Sequence, residues 1–374
     1  MDKGIKICFV STFAYPLFNP KCKRTFGGSE VQMYLIAKEL AKDKKFDVNF
    51  IVADFGQRKT EKYFDVKVHK SYPVAKKIIN YIRGPFVLYK VLRKINPDFV
   101  IQRSAAPETG ICAFYCKKYN KKFIYSIAHE IDINGEFAAK GIFGKMYNYG
   151  LNRTDYIIAQ NYGQIKLLNR WKNKIIRNIK VVKSGYEIET MKIKVKEFVL
   201  WIGRSDKWKR PDIFLDLAED FPYEKFIMVL PKSSQKKFWK NVSKRAKNIE
   251  NVEFFENVSF NKINEYFKKA KVFVNTSKYE GFPNTFVQAA KNKTPILSLN
   301  VNPDNFLNKY KCGFVCNDNF NLMKNKLDLL LKNKRIYNAF SKNAFDYAKK
   351  KHNIKKIIKY WKEVIKNVSI KKRN

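Results

Sequence analysis

The run Gly4-Ile-Lys-Ile-Cys-Phe-Val10, the turn Gly27-Gly28-Ser29-Glu30 and the run Val48-Asn-Phe-Ile-Val-Ala53 decide the fold. The first and third are short and apolar, the pattern of a parallel strand buried on both faces. Between them Val31, Tyr34, Leu35, Ala37 and Leu40 recur at helical spacing behind the glycine turn, which makes a strand, helix, strand unit. The rhythm continues through Asp98-Phe-Val-Ile101, a helix around Gly110 to Tyr119, Lys122-Phe-Ile-Tyr-Ser-Ile127 and Asp155-Tyr-Ile-Ile-Ala159. It restarts at Glu197-Phe-Val-Leu-Trp-Ile-Gly203, followed by Lys225-Phe-Ile-Met-Val-Leu230, Val252-Glu-Phe-Phe255, Lys271-Val-Phe-Val-Asn275 and Pro295-Ile-Leu-Ser-Leu299. Strands alternating with helices predict an α/β protein with two doubly wound parallel sheets, and ligands expected in a cleft at their carboxyl ends. A polar, turn-forming segment at 183–192 separates the halves. After Lys332 the pattern is helical to the end, with Tyr347, His352, Ile357, Tyr360, Trp361 and Val364 forming an apolar face amid lysines. The expected domains are therefore 1–187, 188–345 and a terminal helix at 346–374.

Composition agrees and sets limits. The 374 residues suit two domains at roughly 150 residues each. With 45% apolar residues the chain is no basic disordered tail, and it has no run of about 18 apolar residues that would span a membrane. Lys and Arg number 76 against 33 Asp and Glu, a net charge of +43 that attracts polyanions, anionic membranes or phosphate-bearing substrates. Cys8, Cys22, Cys112, Cys116, Cys312 and Cys316 are too sparse for a disulfide scaffold, and with only three histidines their spacing does not make a zinc site. They read as thiols of a reducing compartment. Ile5 to Val10 is too short for a signal-peptide core, so the expected place of action is the cytoplasm.

Three motifs lie at the expected strand ends. Gly27-Gly28 lets a backbone approach a ligand and opens a helix whose amides can meet a phosphate or a sugar hydroxyl. In Trp201-Ile-Gly-Arg204-Ser-Asp-Lys207-Trp-Lys209-Arg210-Pro211, an arginine and a lysine five residues apart can converge on a diphosphate. In Asn275-Thr-Ser-Lys-Tyr-Glu280-Gly-Phe-Pro-Asn-Thr-Phe-Val-Gln288, a loop carboxylate precedes a helix N-terminus. The pocket outlined has a carboxylate for sugar hydroxyls, amides for phosphate and the Gln288 amide for a ribose. Against these stand plainer readings: a tight turn, solvated lysines, and a loop acid paired with a surface cation.

Taken in order, these motifs make the chain resemble the GT-B glycosyltransferases of the family 4 type, retaining enzymes that transfer a sugar from a nucleotide donor. Glu280 to Gln288 resembles that family's two glutamates separated by seven residues, Arg204 and Lys209 its diphosphate-binding pair, and Gly27-Gly28 its N-terminal glycine loop. His129, in Ser126-Ile-Ala-His129-Glu130, falls where the family carries an active-site histidine, and the last helix with Trp361 resembles the one that packs back on the first domain. Two positions depart from the pattern: Gln288 replaces the second glutamate, and Arg210 stands where a glycine is usual. The resemblance implies that Arg204 and Lys209 bind the diphosphate and Glu280 orients the sugar. The backbone of Gly281, Phe282, Pro283, Asn284 and Thr285 would cradle sugar and phosphate, Gln288 would hold the ribose, and His129 would contact the sugar near the reacting carbon. It further implies a donor for which UDP-sugar is favoured, a glycan or lipid-linked acceptor, and no cofactor. No Asp-x-Asp pair stands at a strand end, so no metal is expected.

For the acceptor side, no acid lies between Asp65 and Asp98, where Lys67, Lys70, Lys76, Lys77, Arg83, Lys90, Arg93 and Lys94 alternate with Ile78, Ile79, Ile82, Phe86, Tyr89 and Val91. Such a stretch suits an anionic membrane surface, which makes a peripheral position on the cytoplasmic face the expectation. Leu88, Val91, Leu92 and Ile95 equally have the spacing of a helix packing on its own sheet. A sugar-nucleotide epimerase or non-catalytic sugar binder on the same fold remains open. A nucleic-acid binder driven by charge is not expected, since no helix-turn-helix, zinc-finger or RNP-like signature is present.

Overall fold

The computed structural model describes residues 4–73, 78–189, 195–232 and 235–370. It divides the chain into two compact units, 1–185 with 354–374, and 186–353. The first contains β1 (Ile5–Val10), α1 (Tyr15–Phe18), α2 (Gly28–Leu40), β2 (Phe46–Asp54), β3 (Thr60–Tyr63), β4 (Val66–Pro73), α3 (Ile78–Ile95), β5 (Phe99–Arg103), α4 (Glu108–Lys118), β6 (Lys122–Ser126), α5 (Gly141–Asn152), β7 (Tyr156–Ala159), α6 (Tyr162–Lys172) and β8 (Ile179–Val181). Its sheet has the order β3-β4-β2-β1-β5-β6-β7-β8, with only β3 antiparallel to its neighbour. Strand order reverses between β1 and β5, the switch point at which such sheets leave a crevice beyond their carboxyl ends.

The second unit contains β9 (Phe198–Ile202), α7 (Pro211–Glu219), β10 (Phe226–Val229), α8 (Lys236–Asn248), β11 (Val252–Phe255), α9 (Phe260–Lys269), β12 (Ala270–Asn275), α10 (Asn284–Lys291), β13 (Ile296–Ser298), α11 (Phe306–Tyr310), β14 (Gly313–Val315), α12 (Phe320–Lys332) and α13 (Lys334–Lys351). All its strands are parallel, in the order β11-β10-β9-β12-β13-β14, so the switch point falls between β9 and β12. The central strands are buried along their length, and Val199, Trp201, Phe214, Phe226, Met228, Val272 and Val274 share one core.

The last helix, α14 (Ile354–Ile370), belongs to the first unit. Ile357, Trp361, Val364 and Val368 are buried, and Lys362 pairs with Asp43 at 2.6 Å. The chain can pass here because Gly185 has no side chain: a Cβ would stand 2.4 Å from the Ile354 side chain. The expected start of this helix at 346 falls inside α13, which runs on to Lys351 before His352 ends it. His352 is buried against the rings of Tyr347 and Phe282 rather than lying on the last helix. Part of the expected linker, 190–194, lies outside the described residues.

The basic stretch 65–98 is not one amphipathic segment. Its first part is β4, where Lys67 and Lys70 pair with Asp47 and Asp54 at 3.0 and 3.2 Å. Lys76 and Lys77 lie outside the described residues. In α3, Leu88, Leu92 and Ile95 are buried on the sheet, whereas Arg83, Phe86, Lys90, Arg93 and Lys94 are exposed. Among the described residues no helix is long and apolar enough to cross a membrane.

Candidate active site

In the second unit the loops after β9 and β12 flank the switch point, and their residues bind each other. The Lys278 N–H donates to the Trp208 carbonyl at 2.8 Å, and the Thr276 hydroxyl to the Lys209 carbonyl at 2.7 Å. Trp201, on β9, donates its indole N–H to the same Thr276 hydroxyl at 3.0 Å, which ties the clasp to the core. The Trp208 and Tyr279 rings stack, with centroids 5.3 Å apart and planes 8° from parallel.

At the centre of this clasp Lys209 Nζ meets Glu280 Oε1, and the Ser277 hydroxyl donates to the same oxygen at 2.9 Å. Both side chains are mostly buried, at 18% and 10% exposure, so the pair is shielded from solvent screening. Arg204 is placed differently. Its guanidinium reaches the Asp206 carboxylate at 2.9 Å and is 55% exposed. The two cations that the sequence suggests converge on one ligand therefore rest on separate carboxylates.

Arg210 explains how the loop keeps its shape without a glycine. It adopts a left-handed conformation (φ 48°, ψ 54°), and its guanidinium donates to the Thr276 carbonyl at 2.7 Å and the Asp318 carboxylate at 2.5 Å. The arginine stitches the β9 loop onto the end of β12 at the point where the chain turns into α7. After Glu280, Gly281 leads to Phe282, which packs on Phe306 and His352, and Pro283 caps α10. Asn284 and Thr285 are the first residues of that helix, and Gln288 lies one turn in, 8% exposed.

In the first unit Gly27 caps α2 in an extended conformation that any residue adopts. Its value is room, since a Cβ would stand 2.9 Å from the Glu30 carboxylate, which accepts the Gly27 N–H at that same distance. The Gly27 amide is thus engaged by an acid. Gly28 follows, exposed, as the first residue of α2.

His129 stands after β6, held by a neighbour that the sequence reading passed over. Asp132, 3% exposed, accepts the backbone N–H groups of Ala105, Ala128 and His129 at 3.0, 2.7 and 3.0 Å. The Tyr147 hydroxyl donates to the Asp132 carbonyl, and burial, then the Asp132 carboxylate, raises the Tyr147 phenol so that it stays a donor. The His129 Nδ1 accepts from the Ile131 N–H at 3.3 Å, which leaves the ring proton on Nε2. The signal for Asp132 was its place three residues after His129, the spacing of a capping box. Arg103, buried at the end of β5 and bonded to the Ser126 hydroxyl at 2.9 Å, was also missed; an arginine ending an apolar strand was its only mark.

A family model described as Glycosyl transferases group 1 matches residues 187–347, and one described as Glycosyl transferase 4-like matches residues 6–161. An uncharacterized glycosyltransferase of Methanocaldococcus jannaschii is 23% identical over 91% of this chain and 95% of its own. Among solved structures, sucrose-phosphate synthase from Thermosynechococcus elongatus is similar with a TM-score of 0.78 and 13% identity, covering 97% of this chain and 99% of its own. The E. coli trehalose-6-phosphate protein bound with UDP-2-fluoro glucose is similar with a TM-score of 0.71 and 11% identity, covering 99% and 100%.

Proposed function

We propose, from the premise that this chain belongs to the GT-B, family 4-like glycosyltransferases, that it is a retaining, metal-independent hexosyltransferase. It moves a sugar from a nucleotide-sugar donor, UDP-sugar before GDP-sugar, to a glycan or lipid-linked acceptor in cell-surface polysaccharide or glycoconjugate synthesis, working at the cytoplasmic face of the membrane. The observation that carries this reading is the Lys209–Glu280 pair, held in the clasp at the switch point of the second sheet. A UDP-sugar analogue bound to a protein of similar fold supports the choice of nucleotide.

The chemistry follows from charge. Breaking the bond between the anomeric carbon and the phosphate oxygen leaves negative charge on a diphosphate, and fixed cations lower that barrier more than any other single device. Lys209 and Arg204 supply them, and each must turn from its resting carboxylate toward the phosphates as the donor enters. Glu280, released from Lys209, accepts the sugar's hydroxyls; Gln288 takes a ribose hydroxyl; the backbone from Gly281 to Thr285 faces sugar and phosphate; and Gly27 and Gly28 bind the donor. His129, whose Nδ1 accepts from the Ile131 N–H, donates through Nε2 to a sugar hydroxyl near the reacting carbon. The acceptor oxygen bonds that carbon on the face being vacated, and its proton passes to the departing phosphate, which gives retention without a protein nucleophile.

A nucleotide-release assay over UDP-, GDP- and ADP-sugars, with and without anionic lipid acceptors, is the test. Donor-dependent release that survives EDTA and falls roughly 100- to 1,000-fold in Lys209→Ala is expected. Sugar epimerisation without nucleotide release, or full turnover of Lys209→Ala at saturating donor, would overturn the assignment.

A further inference from the structure

Within the first unit a cavity of about 570 Å³ opens between α3, α4 and α5, lined by Pro85, Phe86, Tyr89, Ile111, Phe114 and Met146 among others. Its floor is rigid. A Cβ on Gly110 would stand 2.5 Å from the Met146 carbonyl, and one on Gly150 2.4 Å from the Thr109 carbonyl, so α4 and α5 cross with their backbones in contact. That crossing sets Ile111 and Met146 on one side of the cavity, with Pro85, Phe86 and Tyr89 of α3 on another. At the mouth, Phe86 and Phe114 are 66% and 49% exposed. Ile142, 65% exposed, lies on the same face of α5 as Lys145, Met146 and Tyr149, at helical spacings of three, four and seven. Exposed aromatic and aliphatic groups gathered round an apolar hollow mark a binding surface rather than ordinary solvent exposure.

The rim is cationic. Lys118 stands 6.0 Å from the Tyr89 ring and Arg153 3.9 Å from the Tyr149 ring, with Lys90, Arg93, Lys117 and Lys145 exposed on the same three helices. Neither α3 nor α5 contains an acid, and the one acid of α4, Glu108, accepts from the Tyr72 hydroxyl. An apolar hollow ringed by cations complements a molecule with a hydrocarbon chain and an anionic head. The lining runs along α4 from Gly110 to Lys118 and along α5 from Lys145 to Tyr149.

We infer that this cavity takes the acyl chain of an anionic membrane lipid, seating the first unit on the leaflet with Phe86 and Phe114 inserted. The inference rests on the membrane-surface reading above and adds to it a defined pocket. Vesicles containing phosphatidylglycerol with a diazirine in one acyl chain, irradiated with the full-length protein, test it. Carbene adducts mapped by mass spectrometry should concentrate on the peptides of α3, α4 and α5. Met146→Trp, which fills the hollow, should cut both labelling and vesicle partition roughly tenfold at an unchanged melting temperature, the loss of two buried methylenes being enough. Vesicle binding that persists with adducts elsewhere would remove the pocket and leave the membrane reading standing. Binding that is absent, or equal on neutral phosphatidylcholine, would remove both. A dimer in solution that Phe86→Ser or Phe114→Ser dissolves would reassign the face to a second copy of the chain.

Discussion

Arg210 holds a backbone conformation that costs an L-residue roughly 1–2 kcal/mol, and its guanidinium bonds to the Thr276 carbonyl and Asp318 offset that cost. Arg210→Ala should therefore lower stability by about 1–3 kcal/mol in urea unfolding, losing the bonds while keeping the strain. Arg210→Gly should recover about 1 kcal/mol of this by removing the strain; equal losses would show that the conformation carries no cost here. A second residue-scale prediction concerns the buried pair. Lys209→Met leaves the Glu280 carboxylate, among the described residues, with the Ser277 hydroxyl and should destabilise by about 1–3 kcal/mol, and Glu280→Gln added to it should restore most of that. Turnover should stay lost in the double variant, which separates the pair's stabilising part from the catalytic one proposed for it. Recovery of activity along with stability would mean that the pair is structural only. The candidate site was legible to the extent that its residues follow strands: Lys209, Arg204 and Glu280 stand out because each sits past an apolar run. Their partners do not, because whether Arg204 turns to Asp206 or to a neighbouring lysine's ligand depends on side-chain directions that spacing leaves open.

At the scale of elements, β3 and β4 form a hairpin at the edge of the first sheet, and His69 registers it. Its Nε2 lies 2.8 Å from the Asn49 side chain on β2 and its Nδ1 3.1 Å from the Thr60 hydroxyl on β3. Burial, then the charges of Lys67 and Lys94, pushes this imidazole down to about 4. Between pH 4 and 6.5 the unfolded chain binds this proton and the folded one does not, so the fold loses stability as pH falls across that window. Melting temperature should drop on going from pH 7 to pH 4.5, and His69→Asn should flatten part of the drop; an unchanged slope would place the acid sensitivity elsewhere. The same hairpin shows why some of the fold escaped the sequence reading. Strands with buried faces, such as β1, β6, β9 and β12, announce themselves as apolar runs. β3 is Thr-Glu-Lys-Tyr at a sheet edge, and the turn before β4 places Phe64 and Asp65, both at positive φ, where glycine or asparagine usually signals a hairpin. β8 and β14, three residues each, are likewise too short to show a period.

For the whole molecule, 33 acids can neutralise at most 33 of the 76 cations, which leaves an excess of 43 with no carboxylate to meet. The structure sorts this excess by depth. Lys209 is mostly buried and held by a buried acid, whereas the cations on the outer faces of α3, α4 and α5 stand in solvent. Exposed charges act over a screening length that shrinks from about 30 Å at 0.01 M salt to about 3 Å at 1 M, and buried ones are screened far less. The two groups should therefore respond differently to salt. Raising NaCl from roughly 0.05 M to 0.5 M should strip the protein from phosphatidylglycerol vesicles, each surface cation losing most of its roughly 1 kcal/mol. In vesicle-free solution the same change should alter donor-dependent nucleotide release only a few-fold if, as proposed, the diphosphate is met chiefly by Lys209, which is mostly buried. Should release in solution fall in step with vesicle binding, the surplus charge would be serving donor capture instead of the membrane, and the division of the cations into a shielded Lys209 for chemistry and an outer face for attachment would have to be given up.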